Sequence, residues 1–250
     1  MKISLIQRDI VWGNPEENRL QCEKLLQGAP SSDVYVLPEM WSTGFATTPA
    51  GIAEEGEEPE SLRWMQQMAT RLDAAVAGSI SIHASDGTYR NRFFFVKPDG
   101  TYRFYDKHHL FTYGKEHLQY TAGQKRVIVE WRGVRFLLQV CYDLRFPVFS
   151  RNHGDYDCAL YVASWPESRI EPWRALLKAR AIENQCYVAG VDRIGTDPAC
   201  VYCGGTEFVD AYGHVIGSCP DHTEQVLTCE MDLEALTAFR KKFPVLNDAD

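Results

Sequence analysis

The stretch 136-FLLQVCYDLRFP-147 joins an apolar run directly to a cysteine and then to charged residues. The run 136–140 predicts a buried β-strand, because it is short, apolar and followed at once by polar residues. A cysteine that only filled the core would lie inside such a run. Cys141 instead follows its last residue, where a strand passes into a turn. This position indicates a thiol at the rim of a sheet, where functional side chains collect.

On either side of this strand, the chain contains four segments with helical patterning. The predicted helices are 15–27, 60–72, 172–184 and 233–239. The first has the clearest start: Asn14 is the expected N-cap, Pro15 occupies the first helical position, and Glu17 would complete a capping-box-like arrangement. In the second, apolar residues recur at helical spacing on one face.

Strands outnumber helices in the predicted pattern. Buried strands are predicted within 2–7, 33–40, 74–82, 157–164, 186–193 and 225–231, and hairpins within 91–107, 126–140 and 205–219. Helices separate the well-spaced buried strands, whereas the hairpins supply antiparallel pairs. This mixture indicates mixed sheets that are covered by helices on one face and by another sheet on the other. We expect one domain over residues 1–250.

The composition excludes several classes of protein. The 250 residues carry a net charge of −8 and include 45% hydrophobic residues, as in an ordinary globular enzyme. No basic stripe is present, so we do not expect a nucleic-acid partner. No run of about 18 apolar residues occurs, and the N-terminus begins as a short strand, so we expect neither a membrane span nor an export signal. A cytoplasmic location follows as the expectation.

The eight cysteines favour free thiols in a reducing compartment, because most of them lie in apolar, strand-like runs. Cys200 and Cys203 form a lone CxxC, which is a weak metal signal without a second pair or histidines at ligand spacing. Their segment is predicted as a loop and does not open a helix after a strand, as a thioredoxin-like redox motif would. The pair is therefore not expected to hold a metal or to act in redox chemistry.

Three reactive side chains lie at strand ends and have complementary chemistry. Glu39 follows "VYVLP", Lys107 follows "YRFYD", and Cys141 follows "FLLQV". A carboxylate can remove the proton of a thiol, and the thiolate can then attack a carbonyl carbon. A lysine ammonium and a backbone N–H can stabilise the resulting oxyanion. The turn after Cys141 is also expected to favour the thiolate through helix N–H groups.

The segments "LPEMWSTGF", "YDKHHLF" and "CYDLRFP" resemble, in this order, the three catalytic signatures of the nitrilase, or carbon–nitrogen hydrolase, superfamily. The likeness extends from "KISLIQRDIVWGNPEENR" to "WRALLKARAIENQCYVAGVDRIG", which is nearly the whole chain. It implies a four-layer α-β-β-α sandwich and a homodimer that pairs through its outer helices. It also implies an amide-type substrate and catalysis without a cofactor.

Residue by residue, the resemblance implies that Glu39 is the general base, Lys107 the transition-state lysine and Cys141 the nucleophile. Glu116 matches the second glutamate of the family, which positions substrate and supports the lysine; read alone, it is a surface charge in "YGKEHLQY". The backbone N–H of Tyr142 is the implied second oxyanion donor.

Within the superfamily, the chain is most similar to the omega-amidase branch, on "LPEMWSTGF", "CYDLRFP", "ASWP" and "FRKKFPVLNDAD". The implied substrates are 2-oxoglutaramate and 2-oxosuccinamate, which carry a carboxylate far from the amide. Arg145 could bind that carboxylate, or it could form a structural salt bridge with Asp143. Three aromatic residues could form the walls of a small slot or could belong to the core: Phe45, Phe111 and Trp165.

Other functions are compatible with the same motifs. A nitrilase, an N-carbamoyl amino acid hydrolase or an aliphatic amidase would use the same three residues. A non-catalytic binding protein on the same fold is a further alternative, which the intact set of Glu39, Lys107 and Cys141 disfavours.

Overall fold

The computed structural model of the protein describes residues 1–248, where strands and helices follow one another largely as the sequence predicts. Its helices are α1 (Pro15–Gly28), α2 (Glu60–Leu72), α3 (Ile170–Asn184) and α4 (Leu233–Lys242). The strands are β1 (Lys2–Gln7), β2 (Val34–Val36), β3 (Glu54–Glu55), β4 (Ala75–His83), β5 (Tyr89–Val96), β6 (Tyr102–Asp106), β7 (Ile128–Trp131), β8 (Val134–Val140), β9 (Cys158–Ala163), β10 (Tyr187–Asp192), β11 (Ile194–Thr196), β12 (Val201–Cys203), β13 (Glu207–Val209), β14 (Val215–Ser218) and β15 (Gln225–Glu230).

Two large mixed sheets dominate the described part of the chain. The first has the strand order β15-β1-β2-β4-β5-β6, with β3 paired to β4, and the second has the order β14-β13-β10-β9-β8-β7. In both sheets the central strands are parallel, and hairpins add antiparallel strands at the edges. Helices α1, α2 and α3 connect β1 to β2, β2 to β4 and β9 to β10, which is how parallel neighbours are normally joined. The parallel strands β8 and β9 are instead joined by a loop with one short 3₁₀ turn, Cys141–Arg145.

Alternation along the strands divides each sheet into two buried faces. Phe93 and Phe95 of β5 point inwards and meet Phe136 and Leu138 of β8 in the core between the sheets. The rings of Phe95 and Phe136 lie 5.5 Å apart. Phe94 of the same strand points the other way, into the core beneath α1 and α2. The period of two therefore fixes which face of each sheet meets the other sheet.

Helices α1, α2 and α3 cover the outer faces of the two sheets, whereas Leu236 of α4 belongs to the core between the sheets. Leu26 of α1 and Met65 of α2 pack on the first sheet. Trp173 and Leu177 of α3 pack on the second. The order of layers is therefore helix, sheet, sheet, helix, which confirms the predicted α-β-β-α sandwich.

The start of α1 agrees with the sequence in part. The Asn14 side chain accepts a hydrogen bond from the Glu17 N–H at 3.1 Å, and Pro15 is the first helical residue, as predicted. The predicted capping box is wrong, because the Glu17 carboxylate accepts from the Gln21 amide at 2.8 Å instead. The Asn14 N–H donates to the Val11 carbonyl. The Glu17 carboxylate and the Asn14 N–H, which a capping box would join, therefore have other partners.

Three further differences concern the ends of elements. The Cys200–Cys203 segment is not the predicted loop, because β12 pairs antiparallel with β11, and Cys203 lies opposite Ile194. The third helix starts at Ile170 rather than at Pro172, because proline is tolerated in a first helical turn. The last helix continues three residues beyond the predicted end, to Lys242.

Among residues 1–248, no helix is both long enough and apolar enough to cross a bilayer. The final two residues of the predicted domain, 249–250, lie outside the described residues.

Candidate active site

The predicted catalytic residues converge where strands of both sheets end. Lys107 directly follows β6, and Cys141 directly follows β8. Glu39 lies three residues beyond β2, and Glu116 opens a short 3₁₀ turn, Glu116–Leu118. The two sheets face each other, so strand ends from both reach one place. Glu116, whose alternative was a surface charge, is fully buried.

Lys107 is the centre of a buried ionic cluster. Its ammonium donates to Glu39 Oε1 at 3.0 Å and to Glu116 Oε2 at 2.9 Å. The side chains of all three residues are 0% exposed. Burying a charge is costly unless it is paired and hydrogen-bonded. Here one cation pairs with two carboxyl groups, and each of them accepts a hydrogen bond from it.

Backbone and amide donors satisfy the remaining oxygens of the cluster. Ser164 N–H donates to Glu39 Oε2 at 2.8 Å, and Phe111 N–H donates to Glu116 Oε2 at 2.6 Å. Asn91 bridges the two carboxylates: its amide donates to Glu39 at 2.8 Å and to Glu116 at 3.3 Å. These donors supply hydrogen bonds to carboxyl oxygens that burial removes from water.

Burial and neighbouring charges both shift the pKa values of Lys107 and Glu116. Burial alone would lower the pKa of Lys107, but Glu116 and Glu39 outweigh it and hold that pKa well above its usual value. The ammonium is therefore charged at neutral pH. Burial raises the pKa of Glu116, and the charge of Glu39 adds to that rise, while Lys107 opposes it.

The Cys141 thiol has a different environment from the one that the sequence suggests. Burial, followed by the charge of Glu39, raises its pKa well above the usual value, and Lys107 only partly compensates. The expected stabilisation of the thiolate by helix N–H groups is therefore wrong: the 3₁₀ turn Cys141–Arg145 is only five residues long. A thiol beside a carboxylate remains protonated at rest, so a base must remove its proton.

Among residues 1–248, three of the seven non-glycine residues with positive φ lie beside the site. Met40 (φ 43°), Lys115 (φ 61°) and Cys141 (φ 45°) all have left-handed conformations. Met40 is next to Glu39, Lys115 is next to Glu116, and Cys141 is the predicted nucleophile. A left-handed conformation costs a non-glycine residue roughly 1–2 kcal/mol, and such strain is typical of functional sites.

Asp143 holds the turn that carries Cys141. Its Oδ2 accepts from the Val140 N–H at 3.0 Å and from the Tyr105 hydroxyl at 2.8 Å. Its Oδ1 accepts from the backbone N–H of His109 at 2.9 Å and from the ring Nδ1 of His109 at 2.8 Å. One buried carboxylate thus connects the segment around Lys107 to the segment around Cys141.

A cavity of ≈ 620 Å³ opens beside the thiol. Cys141 lines it, as do all five residues predicted to contact substrate: Phe45, Phe111, Tyr142, Arg145 and Trp165. The alternative that placed the aromatic residues purely in the core is thus wrong for Phe45 and Phe111, which are only half-buried.

The cavity walls are connected to the ionic cluster by aromatic contacts. The Lys107 ammonium lies 5.2 Å from the ring centroid of Phe45, and Phe111 packs edge-on against Tyr142 at 5.1 Å. Arg145 stacks on Trp165, with 5.0 Å from the guanidinium carbon to the ring centroid. Among residues 1–248, Arg145 forms no ion pair. The predicted alternative of an Arg145–Asp143 salt bridge is therefore wrong, because the Asp143 oxygens bind His109, Tyr105 and Val140.

A family model for carbon-nitrogen hydrolases matches residues 2–241. The chain belongs to this family.

Relatives and a solved structure agree with this assignment. The chain is 46% identical to omega-amidase YafV of Escherichia coli over 251 residues, which covers 100% of the chain and 97% of YafV. It is 33% identical to 2-oxoglutaramate amidase of Bacillus subtilis, over 98% of the chain and 96% of that protein. The crystal structure of XC1258 from Xanthomonas campestris, a CN-hydrolase superfamily protein with an arsenic adduct in its active site, matches with a TM-score of 0.96 and 40% identity over 100% of this chain and 97% of that one.

Three buried polar residues of this carbon–nitrogen hydrolase are parts of the site that the sequence does not identify. The sequence places Asn91 only at the start of a strand and Asp143 only as a partner for Arg145, and it gives Asp192 no role. Asp192 Oδ1 accepts from the Trp165 N–H at 2.8 Å, and burial raises the pKa of Asp192 well above its usual value. The available signal is the same in each case: a polar side chain at or just beyond an end of an apolar strand.

Proposed function

We propose that the protein is an omega-amidase, which removes the terminal amide of 2-oxoglutaramate or 2-oxosuccinamate and releases ammonia and the dicarboxylate. The observation that carries this proposal is Cys141 on the wall of an open cavity, next to the buried cluster of Lys107, Glu39 and Glu116. The names of the full-length relatives support the substrate class.

In the first half of the proposed reaction, Glu39 accepts the thiol proton of Cys141. The thiolate attacks the amide carbon and forms a C–S bond, and the electron pair of the carbonyl moves to oxygen. The Lys107 ammonium and the Tyr142 N–H stabilise that oxyanion. Protonated Glu39 then gives its proton to the departing nitrogen, which leaves as ammonia, and a thioester remains on Cys141.

In the second half, water replaces ammonia. Glu39 accepts a proton from this water, which attacks the thioester carbon, and the same donors stabilise the second oxyanion. Collapse of the intermediate breaks the C–S bond and releases the carboxylate product. The proton on Glu39 returns to the sulfur, so one carboxylate serves as base and acid in both halves.

The cavity suits a small amide with an anionic far end. Phe45, Phe111 and Trp165 provide apolar walls, and Arg145 provides a cation on the same wall as Trp165. A guanidinium binds a carboxylate with two parallel hydrogen bonds, which fixes orientation as well as charge. We infer that Arg145 binds the far carboxylate while the amide carbon reaches Cys141.

The test is ammonia release from a panel of amides and a nitrile, with wild type beside Cys141→Ala. The panel contains 2-oxoglutaramate, 2-oxosuccinamate, a carbamoyl amino acid, acetamide and a simple nitrile. We expect the two 2-oxo monoamides to be hydrolysed fastest by orders of magnitude, and the variant to be folded but inactive. Preference for another compound would reject the substrate class while keeping the family chemistry; activity of the variant would reject the nucleophile.

We also propose that the protein works in the cytoplasm as a homodimer. All eight thiols are free, as expected in a reducing compartment.

The proposed dimer is supported by apolar side chains that are exposed at the surface near α3 and α4, namely Ile182, Tyr212 and Phe243. Sedimentation velocity should give twice the chain mass, and a monomer at micromolar concentration would contradict the dimer.

A further inference from the structure

Two arginines of the cavity wall differ from almost every other arginine in the molecule. Among residues 1–248, nearly all guanidinium groups donate a hydrogen bond or form an ion pair. The exceptions in that range are Arg103, Arg145 and Arg169. Arg103 is exposed on β6 and lies outside the cavity. Arg145 and Arg169 both line the cavity that contains Cys141.

Within the described residues, no carboxylate on the cavity wall pairs with either of these two arginines. Asp197 is the one carboxylate on the wall within the described residues. Its Oδ1 accepts from the N–H groups of Ala199 at 2.8 Å and Cys200 at 2.7 Å, and its Oδ2 accepts from the Tyr202 hydroxyl at 2.6 Å. The Asp197 carboxylate therefore binds to groups within residues 197–202 and not to either arginine.

Aromatic faces hold both guanidinium groups in place. Arg169 lies over Phe111 at 5.5 Å and over Tyr113 at 6.0 Å, and Arg145 lies over Trp165. The Trp165 indole donates to the Arg169 carbonyl at 2.7 Å, which ties the two arginine-bearing segments together. Stacking on a ring occupies the face of a guanidinium and leaves its edge N–H groups available.

We propose that Arg169 is a second substrate-recognising cation, which acts with Arg145 on the anionic far end of the substrate. The inference deepens the proposed amidase function and rests on it. Two half-buried cations without anions leave charge-assisted hydrogen bonds unmade, and an anionic ligand would make them. One guanidinium can bind a carboxylate with two hydrogen bonds. The second can donate to the same carboxylate and to the adjacent 2-oxo oxygen.

This arrangement selects for an amide with a 2-oxo carboxylate at its far end. Arg169 contacts Phe111 and Tyr113, not the ionic cluster around Lys107, so its contribution belongs to binding rather than to the chemical step. Interactions that are equal in the ground state and the transition state change KM and leave kcat unchanged. The preference for anionic over neutral amides should therefore depend on Arg169.

The experiment compares Arg169→Gln with wild type on two amides of equal carbon number, 2-oxoglutaramate and pentanamide. We expect KM for 2-oxoglutaramate to rise about 10- to 100-fold with kcat nearly unchanged, because a hydrogen bond to a charged group is lost. The kinetics of pentanamide should not change. Arg169→Lys should recover part of the loss, since it restores charge without the bidentate fork. Arg103→Gln is the matched control, an unpaired arginine outside the cavity.

Unchanged KM for 2-oxoglutaramate in Arg169→Gln would overturn the inference while leaving the amidase function intact. A fall in kcat alone, or an equal loss on pentanamide, would also overturn it, because the residue would then support the fold or the chemistry. Failure of wild type to hydrolyse either amide would reject the proposed function itself and this inference with it. A thermal melt of each variant separates loss of folding from loss of recognition.

Discussion

Glu39 belongs to the ionic cluster and also acts electrostatically on Cys141, the proposed nucleophile. It accepts hydrogen bonds from Lys107, Asn91 and the Ser164 N–H, and its charge raises the pKa of Cys141. The same negative charge that can accept the thiol proton therefore also keeps that proton on sulfur until substrate arrives. The protonated resting thiol and the proposed base are thus both explained by the Glu39 carboxylate.

Replacing that charge should move turnover and thiol reactivity in opposite directions. In Glu39→Gln we expect turnover to fall about 10²- to 10⁴-fold, because the general base is lost. The pKa of Cys141 should fall, since the largest charge that raises it is gone, so iodoacetamide should alkylate Cys141 faster at pH 7–8. Rates of ammonia release and of alkylation against pH measure both effects.

Glu130→Gln, an exposed change on β7, is the control for the alkylation experiment. An unchanged or raised midpoint of the alkylation profile in Glu39→Gln would contradict the electrostatic part of the account. Retained turnover would contradict the catalytic part.

Between elements, the decisive contact is the link from the end of β6 to the end of β8. Asp143 accepts four hydrogen bonds, two from His109 and one each from Tyr105 and Val140. It thereby fixes the left-handed Cys141 relative to the strand end that carries Lys107. An ionised carboxylate suits this position because both of its oxygens only accept hydrogen bonds, and all four neighbouring groups are donors.

Asp143→Asn would place an amide donor against those four donors. We expect the free energy of unfolding to fall by about 1–3 kcal/mol, since at least one buried donor loses its acceptor. The kcat should fall more than KM rises, because the residue positions the nucleophile and does not touch substrate. Urea denaturation and steady-state kinetics measure the two effects.

Asp73→Asn is a suitable control for that variant, because Asp73 is 84% exposed and asparagine also tolerates its left-handed conformation. Equal stability and equal kcat in Asp143→Asn would show that Asp143 does not hold the site together.

At the scale of the whole molecule, the layers follow from local patterns and the pairings do not. The alternation in "RFFFV" is enough to assign Phe93 and Phe95 to one core and Phe94 to another. The strand-end positions of Glu39, Lys107 and Cys141 are equally local. The partners of Asn91, Asp143 and Arg169 lie on other elements, so their roles depend on how the two sheets meet.

The protonation state of the thiol also differs from the sequence-based expectation for a tertiary reason. The turn after Cys141 is a local feature, and the expectation of a thiolate rests on it. Burial and the charge of Glu39, which raise the pKa of Cys141, are contributed from elsewhere in the chain. A local pattern can therefore predict where a reactive thiol lies without giving its protonation state.

The convergence of two sheets on one thiol makes the covalent intermediate the central claim of this account. The most direct measurement is the mass of acid-quenched wild-type protein during turnover of 2-oxoglutaramate, followed by peptide mapping. We predict an adduct with the mass of the substrate less ammonia, confined to the peptide that contains Cys141 and absent from Cys141→Ala. Hydrolysis with that peptide unmodified at every quench time, or with the adduct on another residue, would contradict the account.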